Sequence, residues 1–318
     1  MKILFVTATR IGDAVLSSGL IAHFATKYPG VRITVACGAP AAPLFEAAPG
    51  VARVIVVSKQ RFHLHWLRLW LLTAFAWWDL VVDLRGSALP WFLPARRRVR
   101  TKYKDGNVHR VAELGTMMKI DPPPAPEVWP SAGARAEAAE IVTDGGPVLA
   151  VGPAANWGAK QWPAERFAEL VRRATAPDGI LPGARVAVLA AEAERASVAP
   201  VLAALPAAQT IDLVGRQLAV AAAALARATI FVGNDSGLMH VAAAAGTPTL
   251  GLFGPSPERR YGPWGAHCAV VRTAESYEEL CHAPDFDHLS QETLMGSLSV
   301  DMAYEGLAKL YANVKDRV

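Results

Sequence analysis

Residues 229–256 read TIFVGNDSGLMHVAAAAGTPTLGLFGPS, in which two apolar runs enclose a short alanine-rich segment. The runs at 229–233 and 247–252 are short, apolar and bounded by glycine or proline, which predicts two buried strands. The segment 237–245 between them predicts a helix, because alanine has the highest helix propensity. A strand, a helix and a second strand in such close succession are typical of a βαβ unit in a parallel sheet covered on both faces.

The rest of the chain repeats this alternation on both sides of a proline-rich break. Further strands are predicted at 3–7, 32–36, 53–57, 80–84, 148–152, 185–189 and 210–213. The main helices are predicted at 14–26, 41–47, 64–77, 132–142, 163–174, 192–205 and 218–227. Residues 121–130 (DPPPAPEVWP) contain five prolines and predict a domain linker. We therefore expect two Rossmann-like α/β domains, 1–130 and 131–300, followed by a helix at 301–318 that packs back on the first domain.

Length and composition agree with two packed domains. The chain has 318 residues, of which 52% are hydrophobic and 19% are charged, and this excludes a disordered protein. The three cysteines, Cys37, Cys268 and Cys281, are far apart and form no C-x-x-C pair. A reducing, cytoplasmic compartment is therefore expected. The longest apolar stretch, 69–82, contains Asp79 and is too short to span a bilayer.

The charges are unevenly distributed between the two halves. Residues 1–150 carry 18 Lys and Arg against 11 Asp and Glu, whereas the remaining residues carry 14 against 17. Much of the surplus belongs to one cluster: Arg96, Arg97, Arg98, Arg100, Lys102 and Lys104. A basic first half predicts a negatively charged partner. No recognised nucleic-acid-binding motif accompanies the cluster, so we do not expect that partner to be a nucleic acid.

The loop 233–240 (GNDSGLMH) is a candidate anion site. It opens a helix directly after a strand, where free backbone N–H groups and the helix dipole attract a phosphate. Gly237 allows a close approach of the phosphate, and His240 follows one turn along. The alternative is that Asp235 or Ser236 only caps the helix and that His240 is an ordinary core residue.

The string from Gly233 to Pro255 resembles the signature of the family 9 glycosyltransferases, the lipopolysaccharide heptosyltransferases and their relatives. Gly12-Asp13, the segment 154–167 and the residues around Glu192 also fit this family. The resemblance implies the GT-B architecture, in which two Rossmann-like domains with parallel sheets face each other across a cleft. It also implies an inverting transfer of a sugar, a heptose from ADP-heptose, to a lipopolysaccharide core acceptor, without a metal or another cofactor.

The resemblance assigns roles to individual residues. Asp13 becomes the general base that deprotonates the acceptor hydroxyl. Lys160 neutralises the departing diphosphate, and Glu192 binds the ribose. The other residues expected to bind the donor are Asn156, Asp235, Ser236, Gly237 and His240. Each has a structural alternative: Lys160 can be a solvated surface lysine, and Asp13 and Glu192 can stabilise the first turn of a helix.

Two features of the first half suit an anionic glycolipid acceptor. Arg96, Arg97, Arg98 and Arg100 follow a strand end and are candidates for binding acceptor phosphates, although a solvated basic face is the alternative. The tryptophan-rich segment 62–78 is either a core helix or an amphipathic helix that touches the inner face of the inner membrane.

Three alternatives remain open. Asp285 and Asp287 form a D-x-D motif flanked by His282 and His288, which fits either a divalent metal site or a solvated acidic loop. A nucleotide-sugar epimerase of the same fold would use the donor without an acceptor. A non-catalytic nucleotide-sugar-binding protein would bind ADP without transferring a sugar.

Overall fold

The fold is that of a computed structural model, which describes residues 1–58, 62, 64–101, 106–282, 286–287 and 290–315. Four residues of the predicted sites lie outside the described residues: Lys102, Lys104, Asp285 and His288. The chain forms two compact units, Met1–Ser131 and Ala132–Val318. No helix in the described part of the chain is long and apolar enough to cross a membrane.

The strands are β1 (Lys2–Val6), β2 (Arg32–Cys37), β3 (Val51–Val56), β4 (Trp78–Asp83), β5 (Ala95–Arg100), β6 (Val148–Gly152), β7 (Arg185–Val188), β8 (Thr210–Asp212), β9 (Ile230–Asn234), β10 (Thr249–Phe253) and β11 (Cys268–Arg272). The α-helices are α1 (Ile11–Leu16), α2 (Gly19–Lys27), α3 (Leu64–Thr73), α4 (Arg110–Met118), α5 (Ala132–Ile141), α6 (Ala164–Thr175), α7 (Arg195–Leu202), α8 (Leu218–Leu225), α9 (Gly237–Ala244), α10 (Glu258–Tyr261), α11 (Tyr277–Cys281) and α12 (Val300–Val314).

The described strands of the first unit form a parallel sheet in the order β3-β2-β1-β4-β5. The central strand β1 (KILFV) is buried from Ile3 onwards, because it is flanked by strands on both sides and covered on both faces. In the register of the sheet, Val6 lies beside both Ala36 and Asp83. The loops that follow β1, β2 and β4 therefore leave the same edge of this sheet.

The second unit has its own parallel sheet, in the order β11-β10-β9-β6-β7-β8 over the described strands. The order changes direction between β6 and β9, and ligands of open α/β sheets bind beyond the strand ends at such a point. Strands β6, β9 and β10 are buried along their full length. Two α/β units with parallel sheets confirm the predicted fold class.

The helix predicted at 14–26 is interrupted, and α1 and α2 replace it. Ser17 and Ser18 donate their hydroxyls to the carbonyls of Ala14 and Val15 at 2.8 and 2.7 Å. Serine side chains that bond nearby backbone groups compete with the helical pattern, which explains the break. The helix predicted at 41–47 is also different: it is a 3-10 helix, Ala39–Leu44, that contains two prolines.

The C-terminal helix differs from the expectation that it packs back on the first domain. Ala303, Leu307, Leu310 and Val314 of α12 are buried in the core of the second unit, against side chains of its sheet. They recur every three or four residues and form one apolar stripe, and burying that stripe against β10, β11 and α6 stabilises the helix there. The residues 316–318 of the predicted segment lie outside the described residues.

Candidate active site

Lys160 and Asp235 form an ion pair at the carboxyl edge of the second sheet. The Lys160 ammonium lies 2.5 Å from Oδ2 of Asp235. The side chain of Asp235 is 7% exposed and that of Lys160 is 22% exposed, so water screens the pair only in part. The backbone N–H of Asp235 donates to the carbonyl of Leu252 and fixes this residue where β9 and β10 end. The structure thus brings together a cation and a carboxylate that are 75 residues apart in the sequence.

Asn234 holds the loop that carries Lys160. This fully buried side chain accepts a hydrogen bond from the backbone N–H of Trp162 at 3.1 Å and donates to the carbonyl of Pro153 at 2.7 Å. One amide therefore ties both ends of the loop after β6 to β9. Asn234 is not among the residues predicted from the sequence; its position at a strand end, just before Asp235, was the available signal.

A later segment, residues 290–298, holds the same loop from another direction. Leu294 donates its N–H to the carbonyl of Ala159, and the indole N–H of Trp162 donates to the carbonyl of Leu298. The two backbone segments approach each other closely at Gly158, where an added Cβ would lie 2.1 Å from the carbonyl oxygen of Gln291. Only glycine fits this position without moving the backbone. The sequence analysis did not predict this segment as part of the site.

The first turn of α9 follows the ion pair directly. Ser236 has extended backbone geometry at the N-cap position, but its hydroxyl makes no cap hydrogen bond. The Oγ atom is buried and has no hydrogen-bond partner among the described residues. The helix begins at Gly237, and His240 is buried one turn later. An N-terminal dipole beside a lysine is a favourable place for a negatively charged group.

Glu192 lies at the carboxyl end of β7, separated from β9 by β6. Two interstrand steps correspond to about 10 Å. Arg195 binds both carboxylate oxygens of Glu192, at 2.8 and 3.0 Å, and also contacts Asp212. The hydrogen bond from Arg195 lowers the pKa of the exposed Glu192 carboxyl below its usual value. Gly215 packs against this carboxylate, since an added Cβ there would lie 2.4 Å from Oε2.

Asn156 and Asp13 are open to solvent to different degrees. Asn156 is exposed in the loop after β6, and its side chain has no hydrogen-bond partner in the described part of the chain. Asp13 is half-buried and lies in the first turn of α1, the helix that follows β1 in the first unit. Its carboxylate forms no ion pair with any described residue. Both side chains remain available to a ligand.

The four arginines of β5 lie in different surroundings. Arg98 donates from its Nε, Nη1 and Nη2 atoms to the carbonyls of Pro90, Ala95 and Leu93, at 2.7 to 2.8 Å. Because side chains alternate along a strand, Arg97 points to the opposite face from Arg96 and Arg98. Arg100 ends β5 beside Asp83 and therefore lies at the carboxyl edge of the first sheet.

A pocket of about 620 Å³ lies within the first unit, between α3 and residues 85–92. Trp66, Trp70 and Phe92 line it, and the Arg85 guanidinium lies 4.7 Å from the centre of the Trp66 ring. This distance is typical of a cation–π contact. The pocket thus has apolar walls and a cation at its rim.

The D-x-D region is described only in part. Phe286 packs edge-on against Trp157 at 6.1 Å, next to the loop that carries Lys160. Within the described ranges, no cluster of three His, Cys, Asp or Glu side chains could hold a metal ion.

The three cysteines are free, and burial raises the pKa of Cys37 and of Cys268 to about 12. These two thiols are therefore protonated at neutral pH.

Comparisons with known proteins agree on one family. The family model of glycosyltransferase family 9 (heptosyltransferase) matches residues 85–289. Lipopolysaccharide heptosyltransferase 2 of Salmonella typhimurium is 27% identical over an alignment of 321 positions, and this alignment covers 88% of this chain and 90% of the relative.

Two solved structures share the fold over almost the whole chain. The E. coli ADP-heptose lps heptosyltransferase II has a TM-score of 0.74 at 23% identity and covers 99% of this chain and 100% of its own. A family 9 glycosyl transferase from Veillonella parvula has a TM-score of 0.77 at 21% identity and covers 98% and 97%. The matched residues 85–289 include every residue that the sequence predicts to bind the donor. The chain therefore belongs to glycosyltransferase family 9, the heptosyltransferases.

Proposed function

We propose that this enzyme transfers a heptose from ADP-heptose to a lipopolysaccharide core acceptor, with inversion at the anomeric carbon. The observation that carries the proposal is the Lys160–Asp235 pair beside the first turn of α9, inside the segment that matches the family. The names of the relatives support the donor and the acceptor: both the Salmonella protein and the E. coli structure are lipopolysaccharide heptosyltransferases.

The second unit supplies the donor site in this proposal. The diphosphate of ADP lies at the first turn of α9, where the Gly237 amide, the helix dipole and the Lys160 ammonium neutralise its charge. Asp235 orients Lys160. The hydroxyl of Ser236, which has no protein partner in the described structure, donates to a phosphate oxygen. His240, one turn further along α9, is also assigned to donor binding in this proposal.

The adenosine extends from the diphosphate towards β7. The separation of about 10 Å between β9 and β7 is comparable with the span from a β-phosphate to a ribose. Glu192 accepts hydrogen bonds from the ribose hydroxyls, and its bond to Arg195 keeps it ionised and oriented. Asn156, in the loop after β6 between these two ends, donates to the sugar diphosphate.

Asp13 of the first unit provides the base. It takes the proton of the acceptor hydroxyl while that oxygen forms a bond with the anomeric carbon. The bond between the anomeric carbon and the phosphate oxygen breaks on the opposite side, and ADP leaves with the electron pair. Lys160 and the amides of α9 stabilise the negative charge that grows on the diphosphate, which is where electrostatic catalysis has its largest effect.

The acceptor is an anionic glycolipid, and the arginines of β5 bind its phosphate groups. The guanidinium groups of Arg96 and Arg100 form no ion pair within the described structure. The guanidinium group of Arg98, in contrast, donates to three backbone carbonyls. We therefore assign acceptor binding to Arg96 and Arg100, with Arg97 on the other face of the strand as a secondary contact. The reaction takes place on the cytoplasmic side of the inner membrane, where such a glycolipid is accessible to a peripheral enzyme.

Asp13→Asn tests the proposal. Loss of the base removes proton abstraction, so we expect kcat to fall by about 10²- to 10⁴-fold while the Kd for ADP stays unchanged. The measurements are heptose transfer from ADP-heptose to a lipopolysaccharide core acceptor, and calorimetric titration with ADP.

Glu46→Gln serves as the matched control, because it neutralises another carboxylate of the first unit that is exposed to solvent. It should leave both the rate and the ADP affinity unchanged. A parallel loss of rate and ADP affinity in Asp13→Asn would instead indicate a structural role for Asp13.

A further inference from the structure

Exposed apolar side chains are concentrated in one part of the first unit. Among the described residues, nine of the twelve large apolar side chains that are exposed lie between residues 62 and 92. Phe75 is 90% exposed, Phe92 68% and Trp91 66%. Isolated exposed apolar residues are ordinary, whereas a contiguous group marks an interaction surface.

We call five of these exposed side chains the apolar patch: Leu67, Leu71, Phe75, Trp91 and Phe92. Leu67 and Leu71 lie one turn apart on the outer side of α3, while Leu69 is buried in the core. The N–H of Ala74 donates to the carbonyl of Trp70, and this bond continues the helical geometry just beyond α3. Phe75 therefore follows Leu71 by one turn.

The short 3-10 helix Leu89–Phe92 completes the patch. The indole N–H of Trp70 donates to the carbonyl of Phe92 at 2.9 Å and attaches this helix to α3. Leu67 and Phe92 line the same pocket of about 620 Å³, so the two parts of the patch are adjacent. From the sequence, the segment 62–78 is either a core helix or an amphipathic surface helix. In the structure, one side of α3 is core and the other is exposed.

The surroundings of the patch are positively charged. Helix α3 contains Arg68 and no acidic residue. The two acidic residues of the stretch 62–92 are engaged with backbone: Asp83 is fully buried and accepts from the N–H groups of Arg85 and Ser87, and Asp79 accepts from the N–H of Lys2. Arg96 and Arg97 are exposed on the nearby edge strand β5.

This combination identifies the partner by its chemistry. Aromatic and leucine side chains surrounded by arginines suit the boundary between acyl chains and anionic headgroups. A second copy of this chain fits less well, because a symmetric interface would bring the same arginines of both copies together.

We propose that the apolar patch docks the enzyme on a bilayer that contains anionic lipids. Phe75, Trp91 and Phe92 insert at the level of the headgroups, and Arg68 contacts lipid phosphates. The inference rests on the proposed function in one respect, since a glycolipid acceptor is presented at such a surface.

Vesicle co-sedimentation tests the proposal with the full chain. The vesicles contain either phosphatidylcholine alone or phosphatidylcholine with about a third phosphatidylglycerol, an anionic lipid. We expect the native protein to sediment with the anionic vesicles, and the double variant Phe75→Ser/Trp91→Ser to bind them at least about tenfold more weakly. Both side chains are largely exposed, so these changes leave the fold intact, which thermal unfolding verifies.

Val108→Ser is the matched control, because Val108 is an exposed apolar residue outside the patch. It should bind anionic vesicles as the native protein does. Equal vesicle binding by the double variant, or binding of the native protein to neither type of vesicle, would overturn the proposal. So would a native dimer in sedimentation velocity that the double variant abolishes, since the patch would then join two copies.

Transfer to a deacylated, water-soluble acceptor separates this inference from the proposed function. The double variant should transfer heptose to that acceptor at the native rate, because neither changed residue belongs to the donor or acceptor site. A native protein that binds anionic vesicles but transfers no heptose would contradict the proposed function and leave the docking surface standing.

Discussion

At the scale of single residues, the proposed donor site depends on hydrogen bonds and an ion pair between positions that are distant in the sequence. The family resemblance predicts two separate roles: Lys160 neutralises the departing diphosphate, and Asp235 binds the donor. Their ion pair joins positions 75 residues apart, and spacing gives no information about that contact. Asn234 was not predicted for the same reason: its two partners, Trp162 and Pro153, become neighbours only after the sheet has formed.

The Lys160–Asp235 pair predicts an asymmetry between single and double variants. Lys160→Met leaves a buried carboxylate without its cation, so we expect the free energy of unfolding of the second unit to fall by about 2–3 kcal/mol. Lys160→Met/Asp235→Asn removes both charges and should restore most of that stability. Both variants should bind ADP more weakly than the native protein, because both lack the Lys160 cation.

Thermal unfolding and ADP titration of the three proteins measure these two effects separately. If the double variant also bound ADP with native affinity, Lys160 would have no direct contact with the diphosphate. If it were as unstable as Lys160→Met, the ion pair would not be the source of the lost stability.

At the scale of secondary-structure elements, the nine predicted strands are all present, whereas the edge strands β5 and β11 were not predicted. Buried parallel strands are continuous apolar runs, which a sequence shows directly. The helix predicted at 14–26 contains Ser17 and Ser18, whose hydroxyls bond backbone carbonyls and interrupt it. The sequence shows four similar arginines between residues 96 and 100, but strand alternation and the carbonyls of Pro90, Leu93 and Ala95 give Arg98 a different environment from Arg97.

Arg98→Ala and Arg97→Ala form a matched pair. Arg98 donates to the carbonyls of Pro90, Leu93 and Ala95, so its loss should destabilise the first unit by about 1–3 kcal/mol. Arg97 is exposed and should change stability by less than about 0.5 kcal/mol. Urea denaturation followed by tryptophan fluorescence measures both. An Arg98→Ala protein of native stability with a raised KM for the acceptor would show that Arg98 binds the acceptor instead.

At the scale of the whole molecule, the residues of the proposed mechanism are divided between two units with separate cores. The residues proposed to bind the donor all belong to Ala132–Val318, whereas Asp13 and the β5 arginines belong to Met1–Ser131. Alternating strand and helix patterns predicted both units. The location of α12 was not predictable from its own sequence, because an apolar stripe specifies that a helix is buried and not which surface buries it.

Leu307 of α12 tests how far the second core extends. Its side chain is fully buried, so Leu307→Ala should cost about 2–5 kcal/mol. Hydrogen exchange should accelerate in the strands of the second unit and remain unchanged in those of the first. Glu305→Ala, on the exposed side of the same helix, is the control and should behave like the native protein. Faster exchange in β1 and β4 of the Leu307→Ala protein would show that α12 supports the first unit as well.

The attachment of residues 290–298 to the loop of Lys160 has a consequence for biosynthesis. Leu294 and Leu298 supply hydrogen bonds that hold this loop, yet they follow it by more than 130 residues, as the Trp162–Leu298 pair illustrates. A nascent chain on the ribosome cannot form these bonds until residue 298 has emerged from the exit tunnel. The loop of Lys160 is therefore held in place only after this segment has been synthesised, and a chain that stops before it carries Lys160 without the scaffold that positions it.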